Sequence, residues 1–116
     1  MDKEVRVIKV NENPEVDVPG HTNCIGREIA GELLGIDTYT LKYGEFGKGG
    51  VSSEHTHAMA EHVFYILSGA LTIFADGKEY TAQSGEALYV PSTIPHSSKN
   101  AFDGPTTYIA LTIPPA

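Results

Sequence analysis

Four of the five histidines in this 116-residue chain, His55, His57, His62 and His96, have the types and spacing to gather one metal ion. His55 and His57 are two residues apart, so on a β-strand both imidazoles project from one face, with Cα atoms roughly 6.5–7 Å apart. Two such rings can converge on one ion with metal–nitrogen bonds of about 2.0–2.2 Å. His62 follows a short link, at the start of an apolar run that can fold back alongside. His96 lies far along the chain, so only the fold can deliver it. A lone histidine is more often a surface or hydrogen-bonded residue; the case rests on several positions agreeing.

Imidazole suits zinc, copper, iron and nickel, and does not by itself choose among them. Four neutral ligands leave a divalent ion its full charge, which favours Lewis-acid chemistry and an anionic oxygen ligand. One or two positions stay open at an ion that takes five or six ligands, whereas an ion that takes four would be closed and structural. Glu61 is the competing acid beside His62. No Ser/His/Asp set, phosphate-binding loop or activated cysteine competes with this chemistry.

Composition narrows the partners. Eight basic residues stand against fifteen acidic ones, for a net charge of −7. The basic residues are scattered singly, so no stripe exists to neutralise a phosphate backbone, and nucleic acid is not an expected partner. The same acidity argues against an anionic membrane surface. Cys24, the only cysteine, cannot form an intrachain disulfide and reads as a small apolar residue. The segment MDKEVRVIKV reads as a strand and not as a signal peptide, and no apolar run approaches the ~18–20 residues of a membrane span. A cytoplasmic location is expected.

The elements that must position the histidines are β-strands. Short runs rich in Val, Ile, Thr, Tyr and Phe recur between glycines and prolines, the pattern of an all-β sandwich or barrel. Strands are expected near Glu4–Val10, Arg27–Leu33, Asp37–Phe46, Val51–His57 and His62–Ser68, and again near Leu71–Ala75, Lys78–Ala82, Ala87–Val90, His96–Asn100 and Thr107–Ile113. Asp76-Gly77 is a hairpin signal, because a primed turn needs positive φ. Residues 11–26 read as an ordered loop over one barrel end, and Pro114-Pro115-Ala116 as a frayed tail. A helix over Ala58–Leu67 is disfavoured by its β-branched and aromatic second half. The chain reads as a single domain over residues 1–116, with residues 1–26 an amino-terminal strand and loop packed on the barrel.

Two segments resemble the cupin superfamily. The first reads Gly49, five residues, His55-Thr56-His57, four residues, His62, six residues, Gly69. The second reads Gly85, five residues, Pro91-Ser92-Thr93, two residues, His96, three residues, Asn100. Together they cover about half the chain, and the resemblance implies a double-stranded β-helix, or jelly-roll barrel, holding one divalent metal. Thr93 stands where the family usually has glycine. His62 stands where it usually has a glutamate ligand: counting back from Gly69 favours His62, while Glu61 fits the shorter of the family's two spacings after His57.

The resemblance implies a small single-domain cupin with a four-histidine site for iron, manganese, zinc, nickel or copper, a small-molecule substrate and a homodimer. The expected activity is a metal-dependent, dioxygenase-like oxidation of a small oxygenated organic molecule. The alternatives are a lyase or isomerase acting on a keto sugar or uronate, and a non-catalytic module that binds a small ligand. Phe64, Ile66, Leu88 and Val90, or their alternates Tyr65 and Tyr89, are the candidate walls, and plain core packing is the better explanation of them. Tyr39, Lys42, Gln83, Ser98 and Tyr108 are the candidate polar residues near the pocket.

Overall fold

The computed structural model describes residues 4–115; the expectations that touch residues 1–3 and Ala116 lie outside them. Nine strands form among the described residues: β1 (Val16–Asp17), β2 (Cys24–Ala30), β3 (Thr40–Phe46), β4 (Glu61–Ser68), β5 (Ala70–Ala75), β6 (Lys78–Gln83), β7 (Ala87–Val90), β8 (His96–Lys99) and β9 (Thr106–Ile113). They build a six-stranded sheet in the order β1-β2-β3-β9-β4-β7 and a three-stranded sheet in the order β6-β5-β8. All strand pairings are antiparallel. This is the all-β jelly-roll architecture expected from the sequence.

Alternation along the strands points one face of each sheet inward. Phe46, Ile66, Leu71, Ile73, Ala82, Val90, Cys24 and Tyr108 meet in one buried cluster. Ile66, fully buried at 0% exposure, marks the middle of β4, the strand that carries His62. Asp76 and Gly77 both take positive φ, 52° and 71°, as the β5–β6 hairpin requires.

Asn100, at the end of the second motif, explains why that position matters to the fold. Its buried amide donates to Phe46 O at 2.8 Å and Gly104 O at 2.9 Å. Its Oδ1 accepts from Phe102 N at 3.1 Å and lies 2.9 Å from the Thr106 hydroxyl. Gly69, at the end of the first motif, has φ +82°, and a Cβ there would lie 2.5 Å from Thr106 Oγ1. The two motif ends therefore meet at one threonine.

Several boundaries differ from the sequence expectation. Residues 4–9 form no strand and Val10–Glu12 is a 3-10 turn; the segment has strand-like residues but no partner strand, leaving Val5 99% and Val7 88% exposed. The expected loop over residues 11–26 contains β1 and the start of β2, because Cys24 and Gly26 continue the inward face of that strand. β2 ends at Ala30, where Gly31 turns the chain into a 3-10 turn over Glu32–Leu34, with Leu33 N donating to the Glu28 carboxylate. β3 starts at Thr40 and not at Asp37.

The expected strand Val51–His57 is reduced to isolated bridges, Val51 with Lys99, His55 with His96 and Ser52 with His21. Its backbone divides its bonds between two neighbours: Ser52 N reaches Ser98 O, whereas Ser53 N reaches Gly20 O. No single ladder can form.

Replacing Asn100 with Ala would strip partners from three backbone groups, Phe46 O, Phe102 N and Gly104 O, and from the buried Thr106 hydroxyl. Asn100→Ala is expected to destabilise the fold by about 2–4 kcal/mol, lowering Tm by roughly 10 °C in a thermal melt. A melting point equal to that of the wild type would show that the network contributes little.

Candidate functional site

The four motif histidines come from three places. β4 delivers His62, which pairs in register with Val90 of β7 and Thr112 of β9. β8 opens with His96, and the bridged segment beside it carries His55 and His57. The rings cluster: centroids lie 4.2 Å apart for His55–His96, 4.9 Å for His57–His62 and 5.2 Å for His55–His57. The wider spacings are 5.8 Å for His62–His96 and 6.3 Å for His57–His96.

Hydrogen bonds orient three of the four rings. His55 Nδ1 lies 2.9 Å from Ser53 O and His96 Nδ1 2.9 Å from Ile94 O. A carbonyl only accepts, so both Nδ1 atoms carry the proton and both Nε2 atoms keep a free lone pair. His62 Nδ1 lies 3.0 Å from the Thr112 hydroxyl. The Nε2 of His62 is buried with no hydrogen-bond partner among the described residues. The rings cluster without forming a coordination geometry: among the described residues no three or more His, Cys, Asp or Glu side chains are placed as a group that could hold a metal ion.

Burial lowers the pKa of His62 to about 4, with the neighbouring His57, His96 and His55 adding like-charge repulsion. His96 is also held low, first by burial and then by His55, His57 and His21, against a raising effect of its bond to Ile94. Both rings are therefore neutral at pH 7 and able to donate lone pairs.

The neighbouring Glu61 takes the opposite face of β4. Its carboxylate accepts a short hydrogen bond from the Tyr89 hydroxyl on the outer surface. Glu61, the competing acid, therefore points away from the cluster, and the Nδ1 atoms of His55, His62 and His96 are met by Ser53 O, Thr112 Oγ1 and Ile94 O. Phe64 stacks on His62 at 5.7 Å and meets Tyr108 edge-on at 5.8 Å. Tyr108 is buried with its hydroxyl 3.4 Å from Cys24 Sγ, and burial raises both groups above their ordinary pKa ranges. Ser98 lies inside, 2.8 Å from the Ser52 hydroxyl. Lys42 and Gln83 are exposed, and Tyr39 lies outside any strand. Among the candidate walls Ile66 and Val90 are buried, whereas Tyr65 and Tyr89 are exposed.

His21 is the residue that motif spacing could not reveal. Its ring lies 6.2 Å from His55 and 5.7 Å from Phe46. Its Nδ1 meets Pro19 O at 2.9 Å, the same contact to a carbonyl two residues back that His55 and His96 make. Burial lowers its pKa as well.

Thr93 occupies the turn before His96 with φ 68°. It keeps the left-handed backbone that glycine would adopt freely, a strained state for a β-branched residue. Its N–H donates to His57 O at 2.8 Å, which joins the second motif to the first.

Residues 42–112 match the family model described as "Cupin domain". The chain belongs to the cupin family. This cupin is also 28% identical over 61 residues to an uncharacterized protein of Methanocaldococcus jannaschii, covering 53% of this chain and 49% of that one. It thus spans about half the length of the curated relative it matches.

Among solved structures, polyketide cyclase RemF from Streptomyces resistomycificus superposes with a TM-score of 0.80 at 22% identity, over 97% of this chain and 80% of that one. A predicted oxalate decarboxylase from Thermotoga maritima gives 0.79 at 18%, over 93% and 98%. KdgF from Halomonas sp. gives 0.78 at 20%, over 96% and 94%. Such identities establish the shared fold alone. No helix among the described residues is long and apolar enough to cross a membrane.

Two outcomes are expected. Thr93→Gly should relieve the turn and stabilise the cupin by about 1 kcal/mol, a rise of roughly 4 °C in Tm by calorimetry; an unchanged or lower Tm would show that the turn is not strained.

The second concerns the metal-free protein. The unfolded chain takes up a proton at His62 near pH 6.5, and the folded one resists down to about 4. The native state is therefore at full strength above that window and weakens as pH falls through it. Urea midpoints should drop between about pH 7 and pH 5, and His62→Gln should flatten the drop. Equal pH slopes for the two proteins would rule His62 out as the cause.

Proposed function

We propose that His55, His57, His62 and His96 hold one divalent transition-metal ion, and that this cupin uses it in a dioxygenase-like oxidation of a small oxygenated organic molecule. The observation that carries the proposal is the cluster of four imidazoles, with lone pairs left free on the Nε2 atoms of His55 and His96 and a buried, unpartnered Nε2 on His62. Rings bound through nitrogen to one ion at about 2.1 Å have centroids roughly 4.5–6.5 Å apart. Four of the five spacings described above lie within that range and His55–His96 falls just short of it, so the residues fit the group with small adjustments of the rings.

A bound ion would supply Lewis acidity and, if it is iron or copper, one-electron chemistry. The chain's own contribution is orientation and charge. Ser53 O, Ile94 O and Thr112 Oγ1 hold three rings by their distal nitrogens, as supports around metal ligands commonly do. His62 brings no negative charge, so an anionic oxygen of the substrate meets an undiminished positive centre. Phe64 shields His62 from water on one side. Both atoms of dioxygen would enter the product, so no separate reductant is consumed.

Protein purified without added metal should carry about one equivalent by elemental analysis, with His57→Ala and His62→Ala each lowering metal affinity at least about tenfold and Glu61→Ala changing it little. Full occupancy in His57→Ala would overturn the metal reading, and a larger loss from Glu61→Ala than from His62→Ala would move the ligand to the acid. Oxygen uptake separates the oxidation from a lyase or isomerase reaction on a keto sugar or uronate, which would proceed without air. Ligand binding without turnover would leave a sensory role.

A further inference from the structure

A cavity of about 310 Å³ opens where β5, β6 and β7 approach the turn before His96. Ile73, Ala75, Leu88, Val90, Pro91 and Ile94 form most of its wall. Strand register ties it to the histidines. Val90 is the direct partner of His62, and Ala75 that of His96. Directly paired residues of an antiparallel ladder project from the same face, so these cavity residues and these two histidines share the barrel interior. Among the described residues no histidine is part of the wall; Ile94 stands behind His96, its carbonyl accepting the Nδ1 proton of that ring.

The wall offers little polarity. Its polar members are Tyr80, Tyr89 and Asp76. Tyr89 is engaged with Glu61 on the outer face, and Asp76 sits at the tip of the β5–β6 hairpin. Among the described residues no lysine or arginine is part of the wall; Lys78, the register partner of Ala75, is exposed at the β5–β6 hairpin. A hexuronate or sugar phosphate would bury hydroxyls and negative charge there against partnerless carbon, which is unfavourable. An apolar group entering the same space would gain by leaving water. The volume sits at the small end of ligand pockets and holds about a dozen non-hydrogen atoms.

We propose that this cupin's small-molecule partner is a carbonyl acid with a compact apolar or aromatic body, its body in the Ile73–Leu88–Val90 cavity and its oxygen-bearing head toward the imidazoles. The head's placement rests on the metal reading given above, whereas the body's placement rests on the cavity wall. Keto sugars and uronates are the class this wall rejects.

The test uses phenylpyruvate, pyruvate and galacturonate as probes, titrated by calorimetry into zinc-loaded and metal-free protein. Zinc is redox-inert, so binding is read without turnover. Phenylpyruvate and pyruvate share a head and differ in the phenyl group, which reports the cavity. Phenylpyruvate is expected to bind at least about tenfold more tightly than pyruvate, and galacturonate more weakly than either.

Leu88→Asn and Tyr80→Ser, each checked for native circular dichroism, should reduce the ratio of phenylpyruvate to pyruvate affinity at least about threefold. Tyr80 is half-exposed on a paired strand, so its variant keeps the test alive if the first fails to fold. Equal affinity for the two oxo acids, or tighter binding of galacturonate, overturns the cavity assignment. Zinc uptake, measured by dialysis, reads the metal separately. Zinc bound without phenyl preference refutes the cavity alone; phenyl preference without zinc uptake supports the cavity and refutes the metal reading alone.

Discussion

The register of β4 between β9 and β7 is the constraint on which the site depends. Side chains on a strand alternate with a period of two, so a slip of one residue would turn His62 outward and Glu61 inward. The strand is held against that slip along its length. His62 and Phe64 pair with Val90 and Leu88 on one side, and with Thr112 and Ala110 on the other. Ile66 is sealed in the core, the ladder to β9 is irregular between Ile66 and Ser68, and Gly69 presses against Thr106. Glu61 is occupied outside by Tyr89. The charge of the site is thereby a consequence of strand pairing and not of local chemistry.

The polar and apolar functions of the barrel are separated in space. Phe46, Ile66, Leu71 and Ile73 supply a dry interior, while the imidazoles gather where β8 begins and the bridged segment enters. Burial there keeps His62 and His96 neutral. A fold shared with a polyketide cyclase and a predicted oxalate decarboxylase does not choose the chemistry; the residues at that end do.

Much of this was legible in the sequence, for reasons that are local. Asp76-Gly77 announces its hairpin because few other pairs tolerate two positive φ values in succession. The strands from β4 to β9 were placed within about two residues because their runs are strong and their turns sharp. The segment carrying His55 and His57 misled because its backbone bonds are shared between β8 and the Gly20–Ser53 contact, which no periodicity reports. Alternation could not separate His62 from Glu61, since Tyr65 and Leu67 remain exposed and make the outer face of β4 apolar too. His21 escaped because its proximity to His55 is entirely tertiary, and residues 4–9 read as a strand because propensity does not supply a partner.

Thr93 gives the site a latch. Its amide grips the carbonyl of His57 across a long stretch of sequence, and its own backbone is held in a conformation it would leave if released. A second tie runs beside it, where His55 and His96 exchange backbone N–H···O bonds at 2.9 and 3.0 Å. The segment that carries His55 and His57 is thus fastened at both of its histidines to the turn and strand that carry His96, so a change in that turn is felt first in the backbone at His57.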